Sequence, residues 1–313
     1  MPSWLVRDAG PDAEIVLSCR VRLMRNLAGH RFPDASSTEE NIQVMNRILG
    51  SAHGYEIFPS LTKVERDHYV GTRLLSPDFP WTKPGRAALF DPERTTAILV
   101  NEEDHLRLQV VTGGATWESA LEIANGRLAQ LAMNLSFART DRLGYLAASV
   151  YNAGEGRRIS AMLHLAGLVT TERIHDVLPA LRTGKIVFRG LFGESSRAVG
   201  AFAQVSTISG TPDEFRGALN YLVAEEETAR RQVPLSTVIE RCATARRFLI
   251  ESPGISMADA VRALGLLRWG VSAGAVTDLS LSQIDLALCV VEFRAANDPG
   301  RRAENLRHDL NLM

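Results

Sequence analysis

Hydrophobic and polar positions follow one rhythm through the first two-thirds of the chain and another through the last third. Glu14-Ile-Val-Leu-Ser-Cys-Arg-Val-Arg22 mixes the two in a strand-like way. Ala97-Ile-Leu-Val100 is a short apolar run, and Leu106-Arg-Leu-Gln-Val-Val111 alternates. These three predict β-strands. Further strands are expected over Gly144–Val150, Arg158–Leu165, Ile186–Arg189 and Ala201–Ser206. Ser36-Ser-Thr-Glu-Glu40 offers a hydroxyl cap and early acids, which predicts a helix through Ile42–Leu49. Thr116–Leu135 has apolar residues at helical spacing, and a shorter helix is expected near His175–Leu181. Pro77, Pro80, Pro84 and Gly85 mark a loop between these regions.

From Thr211 the helical period takes over. Thr211-Pro-Asp-Glu214 places proline in a first turn, and Phe215–Arg231 continues that helix. Leu235–Ile250, Met257–Trp269, Leu281–Ala295 and Arg301–Leu310 are the remaining helical segments. The pattern predicts an α+β fold, with an α+β domain over residues 1–232 and a small helical domain over residues 233–313.

Composition narrows the function classes. At 313 residues and 45% hydrophobic content the chain can bury a sizeable core. A net charge of −1 supplies no bulk field for nucleic acid or an anionic membrane. No apolar run approaches the roughly 20 residues of a membrane span, and Met1-Pro-Ser-Trp-Leu-Val-Arg7 is expected to carry no secretory signal. Cys19, Cys242 and Cys289 are scattered and odd in number, which fits a reducing cytoplasm and gives no metal-ligand cluster. Lysine occurs only at positions 63, 83 and 185, so the cations are nearly all arginine. Only arginines at special positions acquire a functional reading.

Three places combine charge with constrained backbone. Glu102, Glu103 and Asp104 are consecutive carboxylates between two strands. A solvated loop explains them, and so does a cationic ligand that relieves their repulsion. Arg20 and Arg22 leave one strand face, where they repel unless an anion such as a polyphosphate lies between them. Arg189-Gly-Leu-Phe-Gly-Glu194 puts an arginine and a carboxylate around two glycines that permit loop motion.

Asn101-Glu-Glu-Asp-His-Leu-Arg107 resembles the signature of the ATP:guanido phosphotransferases, the family of arginine kinases, creatine kinases and bacterial protein-arginine kinases. Ser18-Cys-Arg-Val-Arg22, followed by Arg25-Asn26, is similar to the family's Ser-Ser-Arg-(Val/Ile)-Arg element, with Cys19 at the second serine. Gly144–Arg158 resembles its glycine-rich strand–loop–strand element, matching at Asn152, Gly154, Gly156, Arg158 and Ser160. There Ser149 replaces a reactive cysteine and Val150 a proline. Met162-Leu-His-Leu165 and Arg189–Glu194 resemble the protein-arginine kinase branch. The four motifs span residues 14–206, and no Walker or Gly-rich nucleotide fingerprint competes with them.

The resemblance implies a mainly antiparallel sheet flanked by helices, of the glutamine synthetase/guanido kinase type. It implies ATP as phosphoryl donor, with Mg²⁺ held mainly through the phosphates and no protein metal site. The nucleotide-binding positions become Ser18, Cys19, Arg20, Val21, Arg22, Arg107, Arg158, Ile159, Ser160, Ala161, Met162, Arg189, Gly190, Leu191, Phe192, Gly193 and Glu194. Arg73 joins them where the family commonly has histidine. Glu103 and Glu194 would grip the acceptor guanidinium, and Ser149 would stand beside it. Protein substrates with exposed arginine are the implied partners, with an activator protein, a homodimer and a cytoplasmic location. A kinase of a small guanidino compound and a pseudokinase binding nucleotide or phosphoarginine are the alternatives. Asp298-Pro-Gly-Arg-Arg302 only loosely resembles the family's Arg-Asp-Val-Arg-Arg segment and reads as a polar loop before the last helix.

Overall fold

The computed structural model describes residues 3–6, 10–181, 184–190, 199–291, 294–295 and 298–312. The chain folds into two compact units. The first comprises Met1–Trp4, Cys19–Thr112 and Thr116–Ser160, and the second comprises Leu5–Ser18, Gly113–Ala115 and Ala161–Met313. A single helical turn, α1 (Ser3–Val6), precedes the first strand.

In the first unit the strands are β1 (Val16–Arg25, from Cys19 onward), β2 (Glu56–Phe58), β3 (Ala87–Phe90), β4 (Thr96–Val100), β5 (Leu106–Gly113, as far as Thr112) and the start of β8 (Arg157–His164). Their order is β2-β3-β4-β5-β1-β8, and the β2–β3, β3–β4 and β4–β5 pairs are antiparallel. A two-stranded ribbon, β6 (Arg139–Thr140) with β7 (Gly144–Tyr145), stands apart from this sheet.

Among the described residues three full α-helices belong to this unit. The helix α2 (Thr38–Ser51) starts where the hydroxyl cap predicts, Ser37 accepting from the Glu40 amide. The next, α3 (Lys63–Gly71), begins at a Thr62/Glu65 capping box. Along α4 (Trp117–Ala132) the buried residues Trp117, Ala120, Ala124, Leu128 and Leu131 recur at three- and four-residue steps, one apolar stripe facing the core.

The second unit holds the far part of β8 beside β10 (Phe202–Thr207), which pairs antiparallel with β9 (Ile186–Gly190). Its helices are α5 (Ala166–Thr170), α6 (Ile174–Ala180), α7 (Pro212–Gln232), α8 (Leu235–Glu251), α9 (Met257–Ser272), α10 (Leu281–Val290) and α11 (Pro299–Asp309). One continuous core runs from Phe202 through Val238, Leu249, Leu264 and Leu267 to Ile284 and Leu306. The buried Glu226 carboxylate accepts the amides of Gly167 and Leu168 at 2.8 and 2.9 Å, so α5 starts against α7 with its first donors satisfied.

Three expectations change, the first being that Asp298-Pro-Gly-Arg-Arg302 forms the N-cap and first turn of α11 rather than a polar loop, with Asp298 Oδ1 accepting the Arg301 amide at 3.0 Å. The strand expected over Gly144–Val150 survives only as Gly144–Tyr145, because the Ala148 amide donates to the Asp104 carboxylate instead of to a neighbouring strand. The helix expected over Leu281–Ala295 ends at Val290. The strands β2 and β3 were not expected, since three- and four-residue strands are too short for a period to show. Among the described residues no helix is long and apolar enough to cross a membrane.

Candidate active site

The acidic turn owes its shape to its first residue. Asn101 is fully buried and holds a left-handed backbone (φ 54°), a conformation asparagine tolerates better than most residues. Its Nδ2 donates to the carbonyls of Asn41 (2.9 Å) and Gly85 (2.7 Å), and its amide donates to the His105 carbonyl at 2.9 Å. The strands β4 and β5 are thereby joined by a turn whose ends cannot drift, with Leu99 opposite Arg107 in the ladder.

The three carboxylates then go to different places. Glu102 forms an ion pair with Arg107. Asp104 is buried and its Oδ1 accepts from Asn26 Nδ2 (2.6 Å) and the Ala148 amide (2.7 Å). Glu103 is the exposed member of the three. Desolvation, Asp104 and Glu102 push its carboxyl above the ordinary range, against the pull of Arg107 and Arg158. Asn26 fixes the cluster from β1, its Oδ1 accepting the His105 amide at 2.9 Å.

Alternation along β1 separates core from site. Cys19 and Val21 are fully buried, while Arg20 and Arg22 leave the opposite face and are only partly buried. Burial with Arg107, Arg73 and Arg158 nearby lowers Arg20 to about 9. Arg22 is lowered well below its ordinary value by burial and by Arg20, Arg107 and Arg158, with Glu102 opposing them. The buried Arg22 Nε has no hydrogen-bond partner among the described residues. Arg22, Arg107 and Arg158 line one pocket with Met24, Asn152 and all three carboxylates. Clustered, partly desolvated guanidiniums of this kind are strained until a polyanion enters, so the residues present fit a nucleotide triphosphate. No group of three or more His, Cys, Asp or Glu among the described residues is placed to hold a metal ion.

The glycine-rich loop is tied to the same pocket. Arg25, part of the motif that follows Arg22 but without a predicted role, donates through Nη1 to the carbonyls of Met24 (2.7 Å), Gly156 (3.1 Å) and Glu155 (3.2 Å), and its guanidinium lies 3.6 Å from the Tyr145 ring centre. Gly156 has φ 56°, and a β-carbon there would lie 2.3 Å from Arg25 Nη1 and 2.6 Å from the Met24 carbonyl oxygen. Only glycine lets the loop pass.

The other predicted positions fall in both units. Arg73 follows α3 with a left-handed backbone (φ 66°) and belongs to the arginine field around Arg20. Ile159 is in the core, and Ser160 donates through Oγ to the Arg20 carbonyl at 3.3 Å. Cys19 has its thiol pushed up to about 12 by burial, which makes it a core residue rather than a nucleophile. Ser149 is half-buried and sits one residue beyond the amide that holds Asp104. Ser18, Ala161, Met162, Arg189 and Gly190 belong to the second unit. Leu191, Phe192, Gly193 and Glu194 lie outside the described residues.

His105 yields a pH prediction. Its Nδ1 accepts the Leu27 amide at 3.0 Å, so the neutral ring is the form that bonds, and burial pushes its pKa down to about 4. The folded value lies below the unfolded value of about 6.5, so the unfolded chain binds the proton first. Stability is expected to fall on the order of 3 kcal/mol as pH drops from 6.5 to 4. Urea denaturation at both pH values, on wild type and His105→Gln, checks it; an equal acid loss in both proteins sinks it.

The profile of the ATP:guanido phosphotransferase C-terminal catalytic domain matches residues 38–210. The protein-arginine kinase of Halothermothrix orenii (strain H 168) is 34% identical, covering 99% of this chain and 97% of its own. The chain belongs to the ATP:guanido phosphotransferase family. The protein-arginine kinase of Geobacillus sp. (strain WCH70) is 30% identical over 89% of this guanido phosphotransferase and 82% of its own length. Among solved structures, lombricine kinase superposes with a TM-score of 0.58 at 23% identity, over 72% of this chain and 68% of that one. The duplicated taurocyamine kinase of Schistosoma mansoni gives 0.60 at 20% identity over 79% of this chain, which spans 41% of that protein. These two likenesses show the guanido phosphotransferase fold, the large antiparallel sheet with flanking helices.

Proposed function

We propose that this protein transfers the γ-phosphoryl group of ATP to a guanidino nitrogen of arginine side chains in proteins. The observation that carries the reading is the single pocket where Arg22, Arg107 and Arg158 meet Glu102, Glu103 and Asp104. Cations suited to a triphosphate adjoin carboxylates suited to a guanidinium, as an in-line transfer between them requires. The relatives named protein-arginine kinases support a polypeptide acceptor over a small one.

In this reading Arg20, Arg22, Arg73, Arg107, Arg158 and Arg189 hold the phosphates, with Ser18–Arg22, Arg158–Met162 and Arg189–Glu194 as the binding segments. Mg²⁺ bound with ATP would supply charge neutralisation between phosphate oxygens. Glu103 and Glu194 grip the guanidinium and aim one nitrogen at the phosphorus. Glu103, with its raised pKa, takes the proton that the attacking nitrogen must lose. Residues 1–232 carry this chemistry and residues 233–313 form the helical domain.

Ser149 supports a slower enzyme. It stands at the position of the family's cysteine, and a neutral hydroxyl adds no negative charge beside the guanidinium. Ser149→Cys is therefore expected to raise kcat by about 10-fold or more, with the gain largest where the thiol ionises. The test of function uses labelled ATP with casein and free arginine as acceptors, scored for acid-labile phosphate. Nucleotide binding with no transfer to either acceptor, in wild type and Ser149→Cys alike, would favour the pseudokinase reading instead.

A further inference from the structure

The turn next to the acidic pocket is built against the usual chemistry of turns. The Ser149 carbonyl accepts the Asn152 amide at 2.9 Å, which puts Val150 and Tyr151 at the two corners. Corner positions favour Gly, Pro, Asn, Asp and Ser, which adopt or stabilise the tight backbone. Here they hold a β-branched aliphatic and an aromatic residue, 82% and 66% exposed. Single exposed apolar residues are ordinary, but two side by side at a corner give up their burial with no return inside the first unit.

Both flanks of the corner are fixed to the pocket. The Ala148 amide donates to Asp104, and Asn152 lines the pocket with Glu102, Glu103 and Asp104. The apolar pair thus stands within two residues of contacts to the carboxylate cluster, on a loop that Arg25 staples to β1. We propose that Val150 and Tyr151 form a docking platform for an apolar side chain adjacent to the target arginine of a polypeptide acceptor. This rests on the polypeptide reading above and adds a sequence preference to it.

The occupant follows from what the site offers together. The carboxylates match a guanidinium, and the corner beside them matches apolar surface. A polypeptide in which arginine neighbours leucine, methionine or an aromatic residue presents both at once. A free guanidino compound has nothing to lay on the corner. Tyrosine suits the task because it offers a large, rigid contact at little cost in side-chain entropy.

Two peptides identical except for leucine or serine beside a single arginine test the platform, with labelled ATP as donor. Wild type is expected to give about tenfold higher kcat/KM with the leucine peptide, the scale of one buried aliphatic side chain. The double variant Val150→Ser/Tyr151→Ser is expected to lose that advantage, leaving the serine peptide and ATP affinity unchanged. Equal rates for the two peptides in wild type, or a ratio that survives in the variant, overturn this inference and leave the polypeptide reading standing. Transfer to free arginine with none to either peptide overturns both. A variant that shifts from dimer to monomer while keeping the peptide ratio overturns it in favour of a self-association face.

Discussion

Glu103→Gln is expected to lower kcat for phosphoryl transfer by about 10³-fold or more, with ATP affinity changed less than about twofold. Of the three carboxylates in the turn, Glu102 is committed to Arg107, and Asp104 to Asn26 and the Ala148 amide. Glu103 is the exposed one, free to meet an incoming guanidinium. Glutamine keeps the shape and loses two things, the ionic grip on the acceptor and the base that removes its proton. The same logic sets the pH profile. Desolvation, Asp104 and Glu102 raise the Glu103 carboxyl, so kcat/KM should fall on acidification at a pH above the ordinary carboxylate range. Single-turnover transfer with labelled ATP measures the first effect, and kcat/KM from pH 5 to 8 measures the second. Transfer within tenfold of wild type in Glu103→Gln sinks the assignment. Glu102→Gln is the contrasting variant. It releases Arg107 rather than the acceptor, so its effect should fall on nucleotide binding.

The residues that were legible in the sequence are those whose chemistry is local. Alternation at Cys19-Arg-Val-Arg22 already separates a core face from a site face, and the structure keeps that division. The capped helix starts at Ser37 and Thr211 were equally plain, because a cap is a contact within three or four residues. Illegible were the residues that act across long separations. Asn26 holds Asp104 and His105 from 78 and 79 residues away, and Arg25 anchors the glycine loop across 130 and 131. No spacing rule predicts such pairs. They arise because β1 is the strand beside both β5 and β8. The fate of Glu102 was hidden for a related reason: three consecutive acids look alike in a sequence, and only the fold assigns one of them to Arg107.

Arg22→Met is expected to weaken ATP binding by about 10- to 100-fold while making the nucleotide-free protein more stable. Arg22 is held down by burial and by Arg20, Arg107 and Arg158, and its Nε has no partner among the described residues. Methionine keeps the apolar stem and removes the charge, so the repulsion and the unsatisfied donor both disappear. Removing them should raise Tm of the free protein by several degrees, at roughly 2–4 °C per kcal/mol for a chain of this size class. The bound state loses instead, because one charge-assisted contact to phosphate is gone. The two effects have opposite signs, which separates this prediction from simple damage to the fold. Thermal unfolding with and without ATP, and with sulfate as a bare anion, reads both. Wild type should gain more Tm from either anion than Arg22→Met does. A variant that is less stable without ligand, or that gains as much from ATP as wild type, would mean that Arg22 is a structural residue. The arginine cluster would then be a feature of the fold rather than a cradle kept under strain for its ligand.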